Sequence, residues 1–229
     1  SYTIHANDTE GDITFTISNY VDRNSNVGVD VTTLTSGSTI TFDKVVPTLT
    51  SVTYSTSNAS ALQSKVGDTI TLDITASETI RAPTVDFKTN GVTHTTETMS
   101  GSGDSYSSSF VTSNSHADGD ITFTISDISD QANNDGVNVN TVTSGNTLIF
   151  DKTAPTFSNL SLTSSNSVNT TSKDGDVVTL VITSSEDLTA PPTVLFTSGA
   201  TDLTTVTATK PNVNDDTQFS ASFTVSNTH

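Results

Sequence analysis

This chain repeats itself. Gly11-Asp-Ile-Thr-Phe-Thr-Ile-Ser18 returns unchanged at 119–126, a displacement of 108 residues (119 − 11). Asp43-Lys44 with Pro47-Thr48 returns as Asp151-Lys152 with Pro155-Thr156, and Gly67-Asp68 with Ser77-Glu78 as Gly175-Asp176 with Ser185-Glu186. Small insertions then shift Val85 and Phe87 onto Val194 and Phe196, and His116 onto His229. A repeat of about 110 residues is one self-contained structural unit, and everything else in the sequence has to be read inside that period. Residues 1–44 match the end of a unit, 45–152 form a complete one, and 153–229 match the start of another. That phase leads us to expect either a window on a longer tandem array or half-units completed by neighbours. No leader or anchor pattern is expected of such a segment.

Within one unit, apolar and small polar residues alternate strictly, the pattern of half-buried strands. Ile121, Phe123 and Ile125 share one face while Thr122, Thr124 and Ser126 share the other. Ile70, Leu72 and Ile74, repeated as Val178, Leu180 and Ile182, do the same. Further strands carry Val85 with Phe87, Tyr106 with Phe110, and Leu148 with Phe150; Leu49, Val52 and Tyr54 open the unit, as Phe157, Leu160 and Leu162 open the next. Helical periodicity is absent, and threonine on the outer faces suits a pleated sheet. About seven short strands per repeat, separated by Gly/Asn/Asp/Ser turns, predict an all-β fold of tandem immunoglobulin-like β-sandwiches. The 229 residues include no cysteine, so no disulfide staples these units and an apolar core of aliphatic residues and Phe must hold each together.

Charge narrows the function classes. The 25 acidic and 8 basic residues give a net charge of −17, which repels nucleic-acid phosphates. No run approaches the ~20 apolar residues of a membrane-spanning helix. Thiolate zinc sites and cysteine nucleophiles are excluded, and no Ser-His-Asp arrangement, phosphate loop or glycosidase-type carboxylate pair is evident, so enzymatic activity is not expected.

The linker Phe150-Asp-Lys-Thr-Ala-Pro-Thr156, the Gly-Asp strand ending in Ser-Glu, and the Gly-Asp-Ile-Thr-Phe-Thr-Ile strand resemble the tandem bacterial immunoglobulin-like (Big-type) repeats of large secreted adhesins and surface-layer proteins. The resemblance covers the whole chain. It implies an extracellular, cell-surface or secreted, multi-copy and calcium-rich context, with the modules serving chiefly as spacers.

Acidic residues supply the candidate chemistry. The run from Asp127 through Asp130, Asn133 and Asp135 occupies the loop between the last two strands. In a sandwich of this topology that loop lies where the chain enters, beside Glu78 and the incoming linker with Asp43. Calcium takes six to eight oxygen ligands, so these segments predict a calcium site at the junction between units, in a layout resembling cadherin-type junctions. The next junction carries Asp151, Glu186 and Asp187. Asp, Asn and Gly are also ordinary turn residues, the run lacks EF-hand spacing, and in the first half-unit Asn19 and Val27 replace Asp127 and Asp135.

Other motifs carry less. His5, His116 and His229 recur before the Gly-Asp strand and read as structural or solvated, and His94, in a polar stretch without a counterpart, reads as a surface residue. Lys65 and Lys173 sit in turn-like contexts that do not favour an isopeptide bond. Four glycosylation patterns, beginning at Asn7, Asn58, Asn159 and Asn169, match the acceptor rule in a chain where chance matches are common. The expectation is a semi-rigid stalk, filament or lattice whose partners are neighbouring repeats or identical chains. Two alternatives stand beside it. One is a receptor- or glycan-binding module of an adhesin or phage fibre, using Thr93–Asp104 with His94 and Met99, or its diverged counterpart Thr201–Asp216. The other is a filament subunit in which residues 1–44 complete residues 153–229 of the next chain by strand addition.

Overall fold

The structure, a computed structural model, describes residues 1–145, 147–199 and 201–226. It is all-β, with no helix among the described residues. Two compact units make it up, Ser1–Lys152 and Thr153–His229, the first holding both residues 1–44 and the complete repeat. The recurring His229 lies outside the described residues.

The first unit contains the complete repeat. Four strands, β3 (Leu49–Thr56), β5 (Thr69–Ala76), β9 (Ser105–Val111) and β8 (Ser100–Ser102), form one sheet in that order. Five others, β4 (Gln63–Ser64), β11 (Leu148–Phe150), β10 (Gly119–Ser126), β6 (Thr84–Thr89) and β7 (Val92–Thr98), form the second. Every pairing is antiparallel except β4 with β11, which run parallel. The inward residues of both sheets make one core, with Val52, Ile70, Leu72 and Phe110 from the first meeting Val85, Phe87, Ile121, Phe123 and Leu148 from the second. The complete repeat is thus a β-sandwich, and the period-2 alternation in its sequence is the alternation between core and solvent. Phe87 and Phe110 lie with ring centroids 4.8 Å apart, and Tyr54 meets Phe123 edge-on at 5.2 Å.

The recurring Gly-Asp and Asp-Lys motifs are fasteners. Asp68 Oδ2 accepts from Asn58 Nδ2 and from the Lys65 backbone N–H, both at 2.7 Å. Asp176 repeats the pattern with Asn166 and Lys173. Lys44 Nζ donates to the carbonyls of Ala6 and Asp8, and Lys152 Nζ likewise to those of Asn114 and His116. The repeated lysine therefore clamps the loop that carries the repeated histidine to the strand leaving the unit.

The two partial repeats keep the same registers but not the same burial. In the first, β1 (Gly11–Asp12) pairs with β2 (Thr41–Phe42) through Gly11↔Phe42, as Gly119 pairs with Phe150 in the complete unit. The octapeptide 11–18 is identical to 119–126, yet Ile13, Phe15 and Ile17 are 46%, 37% and 53% exposed, against 0%, 3% and 0% for Ile121, Phe123 and Ile125. In the second unit, β12 (Phe157–Ser164), β13 (Val177–Ser184) and β16 (Gln218–Thr224) form one sheet, and β14 (Thr193–Ser198) with β15 (Thr201–Thr207) a second. Its core is smaller, centred on Ile182, Phe196, Phe219 and Ala221.

Because Phe87 is fully buried at the centre of the sandwich, Phe87→Ala should cost the complete repeat about 3–5 kcal/mol. Equilibrium urea unfolding of the full chain, followed by the near-ultraviolet signal of the buried aromatics, checks this.

Candidate metal centre

Three loops are tied together at the end of the sandwich where the linker enters. Ser77 N–H donates to the Thr48 carbonyl and Ser77 Oγ accepts from Thr48 N–H, fixing the linker to the loop after β5. That loop is joined in turn to the loop after β10, through an Ile80↔Asp130 bridge and Arg81 N–H to the Ser129 carbonyl at 2.8 Å. Tyr106 Oη donates to the Ile80 carbonyl from inside the core. The loop after β10 then presses on the linker at Gly136, where a Cβ would lie 2.6 Å from the Pro47 carbonyl oxygen, a space only glycine leaves open.

These constraints bring the carboxylates of Asp43, Glu78 and Asp130 together, with an oxygen of each within 4.8 Å of the others. Asp130 is 1% exposed. Its Oδ1 accepts from Asn134 N–H at 2.9 Å and its Oδ2 from Asn134 Nδ2 at 2.7 Å; the same amide reaches the Asp43 carbonyl at 3.3 Å. Burial alone would push the Asp130 carboxyl up, but the hydrogen bonds from the Asn134 side chain and backbone and from the Ala132 and Asn133 N–H groups hold it below the usual carboxylate range. Glu78 behaves in the opposite way. Burial raises its pKa, and the charges of Asp43, Asp130 and Glu10 raise it further. Its Oε1 is buried without a hydrogen-bond partner. Among the described residues no lysine or arginine forms an ion pair with any of the three.

The expected ligands therefore separate. Asp43, Glu78 and Asp130 converge, and that group does not include the carboxylates of Asp127 and Asp135. Asp127 and Asn133 take positive φ angles of 57° and 70°, as their counterparts Asn19 and Ser25 do at 57° and 64°, so they serve as left-handed turn residues. Asp127 Oδ2 is engaged by the Thr84 hydroxyl at 2.7 Å. Asp135 is exposed and bridges Ser129 through its backbone. For the next junction, Asp151 is half-buried at the end of the first unit, whereas in the second unit Asp187 is exposed and Glu186 repeats the buried, unpartnered Oε1 of Glu78. Sequence reasoning missed Glu10, whose Oε1 accepts from Lys44 N–H, although its repeat counterpart Asp118 makes the same bond to Lys152 and would have signalled it. Asn134, in the same acidic run but not put forward as a ligand, is the residue that clamps Asp130.

Two readings of the polar stretch at 93–104 are corrected. Met99 is not part of a surface patch; it is 2% exposed and belongs to the core. His94 is not a free surface side chain, because its ring stacks on that of His116, with centroids 4.0 Å apart and an interplanar angle of 27°, while its Nε2 meets the Thr89 hydroxyl. His116 is 9% exposed, its Nδ1 accepting from Ser113 N–H.

No family model matches this chain, and no curated protein is similar to it.

Burial lowers the pKa of His94, and burial, His94 and Lys152 lower that of His116. The folded state thus binds fewer protons than the unfolded chain, so this contribution is complete above the ordinary value of 6.5 and is lost as pH falls below it. Glu78 acts with the opposite sign, its raised pKa costing stability as pH rises through its titration. In a Glu78→Gln background, the thermal midpoint should fall between pH 7.5 and pH 5.5, and His94→Gln should remove a large part of that fall, as read by calorimetry.

Proposed function

We propose that this chain is a non-catalytic, load-bearing segment of an extracellular surface protein, built from immunoglobulin-like sandwiches and stiffened by calcium where the linker enters each unit. The strand orders β3-β5-β9-β8 and β4-β11-β10-β6-β7, with a split first strand that pairs parallel to the last, support the immunoglobulin-like assignment. The tandem repetition and the resemblance of its motifs to adhesin and surface-layer repeats support the structural role.

The observation that carries the calcium reading is the orphaned Glu78 Oε1 among three carboxylates with which no basic side chain among the described residues forms an ion pair. A buried, unpaired carboxylate is costly, and a hard divalent cation with oxygen ligands removes that cost. The donor set fits. Each carboxylate oxygen has a second lone pair, so Asp130 can serve a cation while it holds Asn134. Asp43, Glu78 and Asp130 would hold the ion, with Glu10 adding negative charge nearby. Since these residues come from the linker and two different loops, one ion would fix the linker's direction as well as stabilise the unit.

Calcium at tenfold its dissociation constant would add about 1.4 kcal/mol to the folded state. The full chain should therefore show a saturable rise of several degrees in thermal midpoint as calcium replaces EDTA, exceeding the effect of matched magnesium or sodium chloride. Glu78→Gln should abolish the calcium response and raise the midpoint in EDTA, because it removes the repelled charge. A response to calcium that is unsaturable, or that survives in Glu78→Gln, would sink the reading.

A further inference from the structure

His94 reaches its position through an irregularity in strand pairing. Phe87 pairs with Thr95 and Lys88 with Thr93, so His94 is the extra residue of a β-bulge on β7. A bulge re-aims the side chain it carries, and here the ring lies on that of His116, in the loop between β9 and β10. The second unit keeps the bulge, with Phe196 paired to Thr204 and Thr197 to Asp202. Its extra residue is Leu203, packed against the apolar core. An apolar side chain therefore satisfies this position of the fold, and the histidine of the complete repeat adds a titratable group that packing does not require.

His116 is held in a way that its neutral form alone allows. Its backbone N–H donates to the Ser113 carbonyl at 3.1 Å, and the Ser113 N–H donates back to Nδ1 at 3.2 Å. A protonated imidazole carries hydrogen on both nitrogens and accepts nothing. A proton at Nδ1 thus sets two donors against each other and expels the ring. Phe110 and Phe150 lie beside it, with ring centroids at 5.8 and 6.0 Å, and their rings give a buried charge no compensation by hydrogen bonding. The loop that His116 closes is the one grasped by the recurring lysine. Lys152 Nζ donates to the Asn114 and His116 carbonyls at 3.0 and 2.6 Å, and Lys152 N–H to Asp118 Oδ1 at 2.8 Å. The other charged groups on the surrounding elements are engaged or exposed. Lys88 donates to the Thr124 hydroxyl, Asp86 accepts from Thr96, and Glu97 accepts from Thr95 and Ser108. Asp68, in the loop bonded to Thr112, accepts from Asn58 and is offset by Lys65, and Asp120 is exposed. Lys152 and His94 are therefore the charges that bear on His116, and both oppose its protonation.

We infer that His94 and His116 form a proton-operated latch, whose stacked neutral rings hold the 113–118 loop and the Lys152 clamp in place and whose protonation opens both while the sandwich core stays folded. Opening is a local event, because the loop is joined to the sandwich chiefly through these side chains and the lysine, whereas β5, β6 and β10 are fixed by the buried core. Both histidines hold their protons less tightly than a free imidazole. The latch is therefore closed above the ordinary value of 6.5 and opens as pH falls below it. It lies at the opposite end of the sandwich from the carboxylates. The loop with His116 follows the Thr69↔Val111 end of the β5–β9 pair, and Glu78 follows the Thr75↔Ser105 end. The inference goes beyond the calcium reading and does not need it.

The test is amide hydrogen exchange of the full chain in EDTA, read by mass spectrometry and corrected for the intrinsic pH dependence of exchange. Peptides covering 112–118 and 148–152 are compared with β10. Exchange in the first two should quicken by up to about tenfold per pH unit below about pH 6.5, while β10 keeps its protection. His116→Asn supplies a side-chain carbonyl that can accept from Ser113 N–H and does not titrate, so it should keep the loop protected down to about pH 5. His94→Leu, which copies Leu203, should leave β10 protected and make the response shallower, one titrating group remaining. Loop exchange that is independent of pH, or a response that persists in His116→Asn, overturns the inference. So does a loss of protection shared by β10, because the histidines would then set global stability and open nothing locally. Where His116→Asn does not fold, NMR titration of the unmodified chain decides. A His116 ring that titrates at the ordinary imidazole value, with no change at the Ser113 amide, overturns the latch; a lowered titration that the Ser113 amide follows supports it. With calcium absent throughout, either failure is independent of the response predicted for Glu78.

Discussion

The structure depends on the burial of one strand face against the opposite sheet. With no disulfide to limit the unfolded chain, the sandwich is held by Ile121, Phe123 and Ile125 of β10, which lie beside Val85 and Phe87 of β6 and across from Ile70, Leu72 and Phe110. Transfer of such side chains from water is worth about 1.5–3 kcal/mol each. The repeated fasteners at Asp68, Lys44 and Lys152 serve this burial by closing the loops that lead into and out of the core strands. Among the described residues of the first unit, no second sheet packs against β1 and β2. The same eight residues that are buried on one face at 119–126 lie with their apolar side chains open to solvent at 11–18.

The acidic end of the sandwich is a consequence of that same packing. Ile80 and Ile128 are buried in its loops, and the backbone bonds between those loops hold the chain at Glu78 close to that at Asp130. Electrostatic repulsion is thereby built in by the hydrophobic core, which is much the larger effect. Asp130 is compensated by Asn134, whereas Glu78 is not. That asymmetry marks Glu78 as the residue at which a cation would be most strongly felt.

Much of the architecture was legible because strand periodicity and a near-exact repeat are local properties of the chain. Alternation placed Ile70, Leu72, Ile74, Val85 and Phe87 in the core. The site was legible only in part. Asp43, Glu78 and Asp130 were chosen with Asp127, Asn133 and Asp135 because acidic and amide residues in a loop look alike in sequence; backbone dihedral angle separates Asp127 and Asn133 from the rest, since a residue at positive φ is chosen for the turn it makes. His94 and Met99 were misread as surface because a polar neighbourhood in sequence says little when β7 and the turn after it fold back on the sandwich.

By itself the sequence determined the all-β class, the period of the repeat, the strands and the inward face of each, because these arise from side-chain alternation and turn chemistry along a short stretch of chain. Tertiary structure alone decided which acids meet, which histidines stack, and whether a given strand is core or surface. The identical octapeptides at 11–18 and 119–126 make the reason plain: a strand's own residues specify which face it must bury, but only a partner from elsewhere in the fold can cover it.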